Sequence, residues 1–229
     1  MEELERYAGR VFSTRFQDIY FSVEGGLEES RHVFIEGNFL KERWNESDWM
    51  VIGELGFGTG LNAFVVEREL PRNKKVRFVT CEKYPLEWET IKSILTYAFG
   101  EEPSWDNKLY TEKRISYLEG QKSEWAKLSD NNFVLEVFFG DVQDFLNQEI
   151  GYADAWFLDG FSPKKNPEMW SETVLEKVKK LSKIGTTFAT FSAASLVKKK
   201  LIDLGFSVKK VPGFGKKRDM LRGEIEFEI

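Results

Sequence analysis

The sequence predicts an α/β fold built on a mostly parallel, doubly wound sheet. From residue 49 onward, short apolar runs alternate with amphipathic stretches, the pattern of strands joined by crossover helices. A glycine turn, Gly56-Phe57-Gly58-Thr59-Gly60, separates the first apolar run from the first helical stretch. Glu54, Glu82, Asp141 and Asp159 each close an apolar run, at the strand ends where open α/β sheets bind ligands.

The elements follow in order. Trp49 to Glu54 reads as a buried strand, and Leu61 to Leu70 has helical spacing stopped by Pro71. Val76 to Glu82 is the second strand, and Leu86 to Ala98 a helix with Gly100 at its stop. Residues 101–132 break the rhythm: Trp105, Tyr110, Tyr117 and Trp125 stand among many charges, as in an inserted loop or helical segment. Val134 to Phe139 resumes the strands and leads to Gly140-Asp141, and Ala153 to Leu158 leads to Asp159-Gly160. Glu168 to Leu181 is a helix, Thr186 to Phe191 a strand, and Ala193 to Leu204 a helix capped by Gly205.

Phe206 to Val211 and Met220 to Ile229 finish as two strands joined through Gly213-Phe214-Gly215, an antiparallel hairpin at a sheet edge. Such an addition is typical of Rossmann-like class I methyltransferases and not of dehydrogenases. Residues 1–48 precede the sheet. Asp18 to Ser22 is strand-like and Gly25-Gly26 and Gly37-Asn38 are turn signals, so a small N-terminal β-rich extension on a 49–229 domain is expected.

Composition narrows the function. With 41% hydrophobic residues the chain can bury a sizeable core. No apolar run approaches a membrane span, and the acidic start Met1-Glu2-Glu3 is wrong for a secretory signal, so a cytoplasmic protein without a membrane partner is expected. Cys81 is the only cysteine and His32 the only histidine, which rules out an internal disulfide or a Cys/His zinc cluster. No spacing suggests an oxygen-only site, so no metal is expected. Cys81 falls inside a strand pattern, as a buried inert thiol. Net charge is -5, yet residues 160–229 carry +7 against -12 in the remainder. The C-terminal half can therefore present a face attractive to phosphates, or simply solvated lysines.

The glycine turn lets backbone approach a ligand without Cβ obstruction. Glu82, 22 residues beyond Gly60, stands where such folds hold ribose hydroxyls. The spacing Gly-x-Gly-x-Gly departs from the dinucleotide Gly-x-Gly-x-x-Gly. Glu54 before it would repel a pyrophosphate and suits a cationic amino-acid ligand. Asp141 can reach an adenine edge. S-adenosylmethionine, with its sulfonium and ammonium, matches this acidic rim.

The run Asp159-Gly160-Phe161-Ser162-Pro163-Lys164-Lys165-Asn166-Pro167 is more specific than the turn. With Glu54 to Asn62, Glu82 to Leu86, Asp18 to Ser22, Glu36-Gly37-Asn38 and Gly213 to Arg218, it resembles the methyltransferase domain of the MnmC family over nearly the whole chain. Those enzymes complete 5-methylaminomethyl-2-thiouridine at the tRNA wobble position. The resemblance implies an S-adenosylmethionine pocket formed by Gly56, Gly58, Glu82, Asp141 and Asp159, and Glu54, Phe57 and Gly60 of the same turn are expected to join it. It also implies that Asp159 holds or deprotonates the target amine.

Tyr20, Phe161, Pro163 and Lys164 are expected around the substrate base, with Phe161 stacking on a flipped-out uracil or packing under its loop. Lys216, Lys217 and Arg218 are expected to meet the anticodon stem-loop. Many family members carry a flavin-dependent oxidase domain after the methyltransferase. This chain ends at Ile229, so no FAD is expected, and the 5-aminomethyl substrate must arise by another route. The competing readings are a methyltransferase for another RNA or a small amine, and a non-catalytic nucleoside-binding module. A nicotinamide-dependent oxidoreductase ranks last on the glycine spacing.

Overall fold

The computed structural model of the protein describes residues 4–7, 10–22, 25–103, 105, 107–120, 124–130, 132–215 and 219–227. Three short strands, β1 (Leu4–Tyr7), β2 (Arg10–Ser13) and β3 (Asp18–Ser22), form an antiparallel sheet in chain order. The chain then turns helical: α1 (Gly26–Ser30), a π-helical turn (Arg31–Glu36) and α2 (Leu40–Glu46). The expected β-rich extension is thus β in its first half only.

The two turn signals mark helix junctions, not hairpins. Gly25 caps α1 in a left-handed conformation, and Gly37 ends the π turn. Val33, Phe34, Ile35, Leu40 and Trp44 are buried at helical spacing and share one core with the main sheet. Asn38 reinforces the junction, donating from Nδ2 to the Phe34 carbonyl at 3.1 Å.

The main sheet follows the expected alternation: β4 (Trp49–Leu55), α3 (Leu61–Glu69), β5 (Lys75–Glu82) and α4 (Trp88–Phe99). Next come α5 (Asn107–Leu118), β6 (Glu124–Asp130), β7 (Phe133–Phe139), α6 (Val142–Phe145) and β8 (Ala153–Phe157). A 3₁₀ turn (Glu168–Trp170), α7 (Glu172–Lys180), β9 (Ser182–Thr190), α8 (Ser195–Asp203), β10 (Phe206–Pro212) and β11 (Asp219–Ile225) complete it. The strand order is β10-β11-β9-β8-β4-β5-β7-β6. Pairing is parallel from β9 through β8, β4 and β5 to β7, while β11 runs antiparallel to both its neighbours. The C-terminal hairpin is present, with β10 at the sheet edge.

Side chains alternate across the sheet and build two apolar layers. Phe78, Ala155 and Phe157 face α3, α4, α5 and the N-terminal helices; Val79, Trp156 and Leu158 face α6, α7 and α8. The region at 101–132 contributes a helix and an antiparallel edge strand. In β6 Ala126 and Leu128 are buried while Lys127 and Ser129 between and beside them are exposed, and charge masks this alternation. The helix expected from Glu168 is divided because Ser171 takes an extended conformation and accepts from the Val174 amide as N-cap. Among the described residues, no helix is long and apolar enough to cross a membrane.

Gly53 in the middle of β4 lets the indole of Trp156 lie flat on the strand: an added Cβ would fall within 3.0 Å of three ring atoms. Trp156 is fully buried and its Nε1 is tied to Ser182 Oγ at 2.9 Å, so the ring has no room to yield. Gly53→Ala should lower the unfolding free energy by about 1–3 kcal/mol, read as a lower urea midpoint at unchanged slope.

Candidate active site

Parallel pairing brings the C-terminal ends of β4, β5, β7 and β8 to one edge of the sheet. Beyond β4 the glycine turn folds tightly: the Phe57 amide donates to the Cys81 carbonyl and the Gly60 amide to that of Phe57, each at 2.8 Å. Gly56, Gly58 and Gly60 all have positive φ, of 93°, 55° and 74°. At Gly58 an added Cβ would also press to 3.1 Å from the Tyr20 ring, so both backbone and neighbour require glycine.

The turn and Glu82 hold each other. Glu82 accepts from the Gly58 amide at Oε2 and from the Tyr84 amide at Oε1, each at 2.8 Å. These bonds fix the carboxylate at the end of β5. Asp141, following β7, caps α6 by accepting from the Gln143 amide at 2.9 Å, and receives Lys83 Nζ at 2.9 Å on its other oxygen. Partial burial would push its carboxyl up; the Gln143 amide and the Lys83 ammonium outweigh that and hold it below the ordinary carboxylate value. Cys81 is buried, and burial raises its thiol far above the ordinary value, so it is held as a neutral thiol.

Behind this rim lies a buried polar cluster. Asn62, in the first turn of α3, donates from Nδ2 to Glu54 Oε1 at 2.9 Å and to Asp159 Oδ2 at 2.7 Å. Its Oδ1 accepts from Ser30 Oγ at 2.6 Å, and Thr80 Oγ1 lies 2.9 Å from Glu54 Oε2. Asp159 Oδ1 also accepts from the Gly160 amide at 2.7 Å. Gly160 has φ 138°, and a Cβ there would collide with the Met169 sulfur, so the loop after β8 passes this point only as glycine.

The N-terminal sheet clamps that loop. Asp18 accepts from the Ser162 amide at 3.2 Å and pairs with Lys165 at 3.5 Å, and Lys165 also reaches the Gln17 carbonyl. Phe16 stacks on Phe161 with centroids 4.5 Å apart, and Tyr20 meets the same ring edge-on at 5.0 Å. Trp170 Nε1 donates to the Phe161 carbonyl from the other side.

These pieces enclose a cavity of about 1020 Å³, its open mouth included. Gly56, Gly58, Glu82, Asp141, Asp159, Tyr20, Phe57 and Phe161 all border it. Four of the expected site residues do not border this cavity. Glu54 is not at the cavity wall but 1% exposed behind Asn62, because its strand position points into the core. Gly60 also lies off the wall, turned toward Phe57 and Trp105. Pro163 and Lys164 stand outside the lining, since the loop turns away after Ser162 under the Lys165 and Asn166 amide bonds to the Ser162 carbonyl.

Phe161 already carries Phe16 on one face, so at most its other face is left for a base. Lys216, Lys217 and Arg218 lie outside the described residues. Phe16, Ile19, Asn62, Lys83 and Met169 at the cavity were not singled out from sequence. Asn62 left a trace, as the polar residue within an otherwise apolar first turn, Leu61-Asn62-Ala63-Phe64. Among the described residues no group of three or more His, Cys, Asp or Glu is placed to hold a metal ion.

Residues 105–226 match a family described as S-adenosyl-L-methionine-dependent methyltransferase. The chain is similar to the tRNA 5-methylaminomethyl-2-thiouridine biosynthesis bifunctional protein MnmC of Vibrio cholerae serotype O1, 42% identical over 97% of this chain and 35% of that protein. It is similar also to the protein of the same name from Leptospira borgpetersenii serovar Hardjo-bovis, 45% identical over 93% of this chain and 33% of that one. The chain thus spans about a third of the length of these curated relatives. Among solved structures it is similar to MNMC2 from Aquifex aeolicus, with a TM-score of 0.74 and 25% identity over 100% of this chain and 72% of that one. Sequence and fold together place this chain in the S-adenosyl-L-methionine-dependent methyltransferase family, among proteins similar to MnmC.

Proposed function

We propose that the protein methylates the primary amine of 5-aminomethyl-2-thiouridine at the tRNA wobble position, giving 5-methylaminomethyl-2-thiouridine. The observation that carries this reading is the placement of Asp159, which borders the same cavity as the glycine turn and Glu82 and is anchored by Asn62. The similarity to the tRNA 5-methylaminomethyl-2-thiouridine biosynthesis bifunctional protein MnmC, over most of this chain, supports the same reading.

The cavity fits S-adenosylmethionine. Its rim is carboxylate-bearing at Glu82, Asp141 and Asp159, which favours a cationic ligand and disfavours a pyrophosphate. Glu82 is oriented by two backbone amides to receive the ribose hydroxyls, since each carboxylate oxygen has more than one acceptor position. Gly56 and Gly58 would bring bare backbone to the ligand, and Asp141, at the cavity wall beyond β7, would accept from the adenine amino group. When bound, S-adenosylmethionine supplies a methyl carbon made electrophilic by its sulfonium.

The chain's own residues then have three tasks. Tyr20 and Phe161 wall the site and exclude water from the reacting centre. Asp159 orients the incoming ammonium and takes one of its protons, baring the nitrogen lone pair. The bared nitrogen would then take up the methyl group that S-adenosylmethionine, held by Glu82, Asp141 and the backbone at Gly56 and Gly58, would supply. Residues 49–229 make up the methyltransferase domain in this reading, and residues 1–48 supply part of the wall through Phe16, Ile19 and Tyr20.

The RNA approaches over residues 160–229, where the balance of charge is +7 and Lys209 and Lys210 are exposed. Replacing Lys216, Lys217 and Arg218 together by alanine should weaken anticodon stem-loop binding and flatten its salt dependence, with cofactor affinity unchanged. Filter binding that matched wild type at every salt concentration would place the RNA elsewhere.

Two substitutions test the pocket. Glu82→Ala should weaken S-adenosylhomocysteine by more than about tenfold in calorimetry, through loss of charge-assisted hydrogen bonds and of the anchor on Gly58. Asp159→Asn should lower the single-turnover rate on aminomethyl-bearing tRNA by about 10²–10⁴. Raising the pH from about 7 to about 10 should partly rescue that variant, because solvent then supplies neutral amine. A rate equal to wild type throughout would leave Asp159 as a loop cap and remove the basis of this mechanism.

A further inference from the structure

Glu54 is a buried carboxyl for which the methyl transfer outlined above has no use. It is 1% exposed, and its hydrogen-bond partners, Asn62 and Thr80, are neutral. The charged groups that act on it are Asp159, beyond β8, and Glu82, at the end of β5 beside the Cys81 thiol; both are acidic. A carboxylate buried among like charges is costly, and the usual outcome is that it takes up a proton.

The bonds accommodate the neutral form. Oε1 accepts from Asn62 as a carbonyl, and an Oε2 hydroxyl can donate to Thr80 Oγ1 at 2.9 Å. Burial first, and the Asp159 charge second, raise Glu54 well above the ordinary carboxylate value, with the Asn62 and Thr80 bonds opposing only in part.

The amide of Asn62 is committed on both sides. Ser30 Oγ donates to its Oδ1, and its two N–H bonds go to two different carboxyl groups. A flipped amide would set its oxygen against both of those carboxyls, so the nitrogen side is fixed by chemistry. The two acids it bridges meet opposite surroundings: Asp159 borders the open cavity and accepts from the Gly160 amide as well, whereas Glu54 is sealed. Such a pair separates into one ionised and one protonated member.

We propose that Asn62 is a positioning residue for the transfer: its amide holds Asp159 as the ionised acceptor at the cavity wall, while the proton of the pair stays on Glu54 behind it. This rests on the reading of Asp159 as the group that orients or deprotonates the amine. A donor bonded to a carboxylate stabilises the charged form, so losing it moves the titration of Asp159 upward.

Single-turnover rates with saturating cofactor and tRNA, measured from about pH 5 to about pH 9, read this directly. In Asn62→Ala the acidic limb should move to higher pH by about one unit or more, with S-adenosylhomocysteine affinity within about threefold of wild type. A limb left in place in a variant that binds the analogue normally would make Asn62 scaffolding and overturn the proposal. In Glu54→Gln one neutral group replaces another, and the limb should coincide with that of wild type. A limb displaced to lower pH would mean an ionised Glu54 and would equally overturn it.

Infrared difference spectra of wild type against Glu54→Gln, taken without substrate, provide a readout independent of activity. A protonated-carboxyl band present in wild type and missing in the variant is expected; its absence from wild type at about pH 7 overturns the proposal even if Asn62→Ala does not fold. A protein that showed the band but methylated no amine would fail the functional reading above and leave the Glu54 assignment standing.

Discussion

Parallel pairing of β4 with β5 and β8, and of β5 with β7, constrains everything else in this molecule. Parallel strands must end on the same side, and each is followed by a loop and a helix that returns across a face. Four carboxyl groups carried at or just beyond those ends therefore converge on one edge, though they are far apart in the chain. The apolar layers on both faces hold the strands in register, with Gly53 under the Trp156 indole as one of the tightest fits. The site is a by-product of how the sheet must pack.

Convergence of four acids would be self-defeating if all were treated alike. Glu82 is stabilised by two backbone amides, Asp141 by a backbone amide and the Lys83 ammonium, and Asp159 by Asn62 and the Gly160 amide. Glu54 alone is buried with neutral partners. The first three can remain charged at the wall of a cavity suited to a cation, while the fourth is driven toward its neutral form. Environment divides one residue type into separate roles, and a single asparagine side chain connects two of them.

The N-terminal sheet matters to the site for a different reason. A loop such as Asp159 to Asn166 has few backbone partners of its own beyond its turn at Ser162. Asp18, Phe16 and Tyr20 supply them from outside, with an amide bond, a stacked ring and an edge contact. Ordering a loop against a rigid sheet lowers the conformational freedom that binding would otherwise remove. The side of the cavity formed by this sheet thus depends on residues that precede the first strand of the main sheet.

The sequence by itself determined the alternation of strands and helices, the parallel core with its C-terminal hairpin, the glycine turn, and Glu82, Asp141 and Asp159 as strand-end acids. These are legible because apolar periodicity and turn chemistry are local properties. It did not determine that residues 26–46 are helical, since glycine pairs mark helix caps as readily as hairpins. Nor did it show β6, whose buried Ala126 and Leu128 are masked by neighbouring charge.

Only the tertiary structure decided that Glu54 points inward, that Asn62 joins it to Asp159, which lies 97 residues beyond the asparagine, and that Phe161 is stacked on Phe16. Each of these is a contact between distant segments. Strand alternation says which face a side chain takes, but what waits on that face depends on how the layers close.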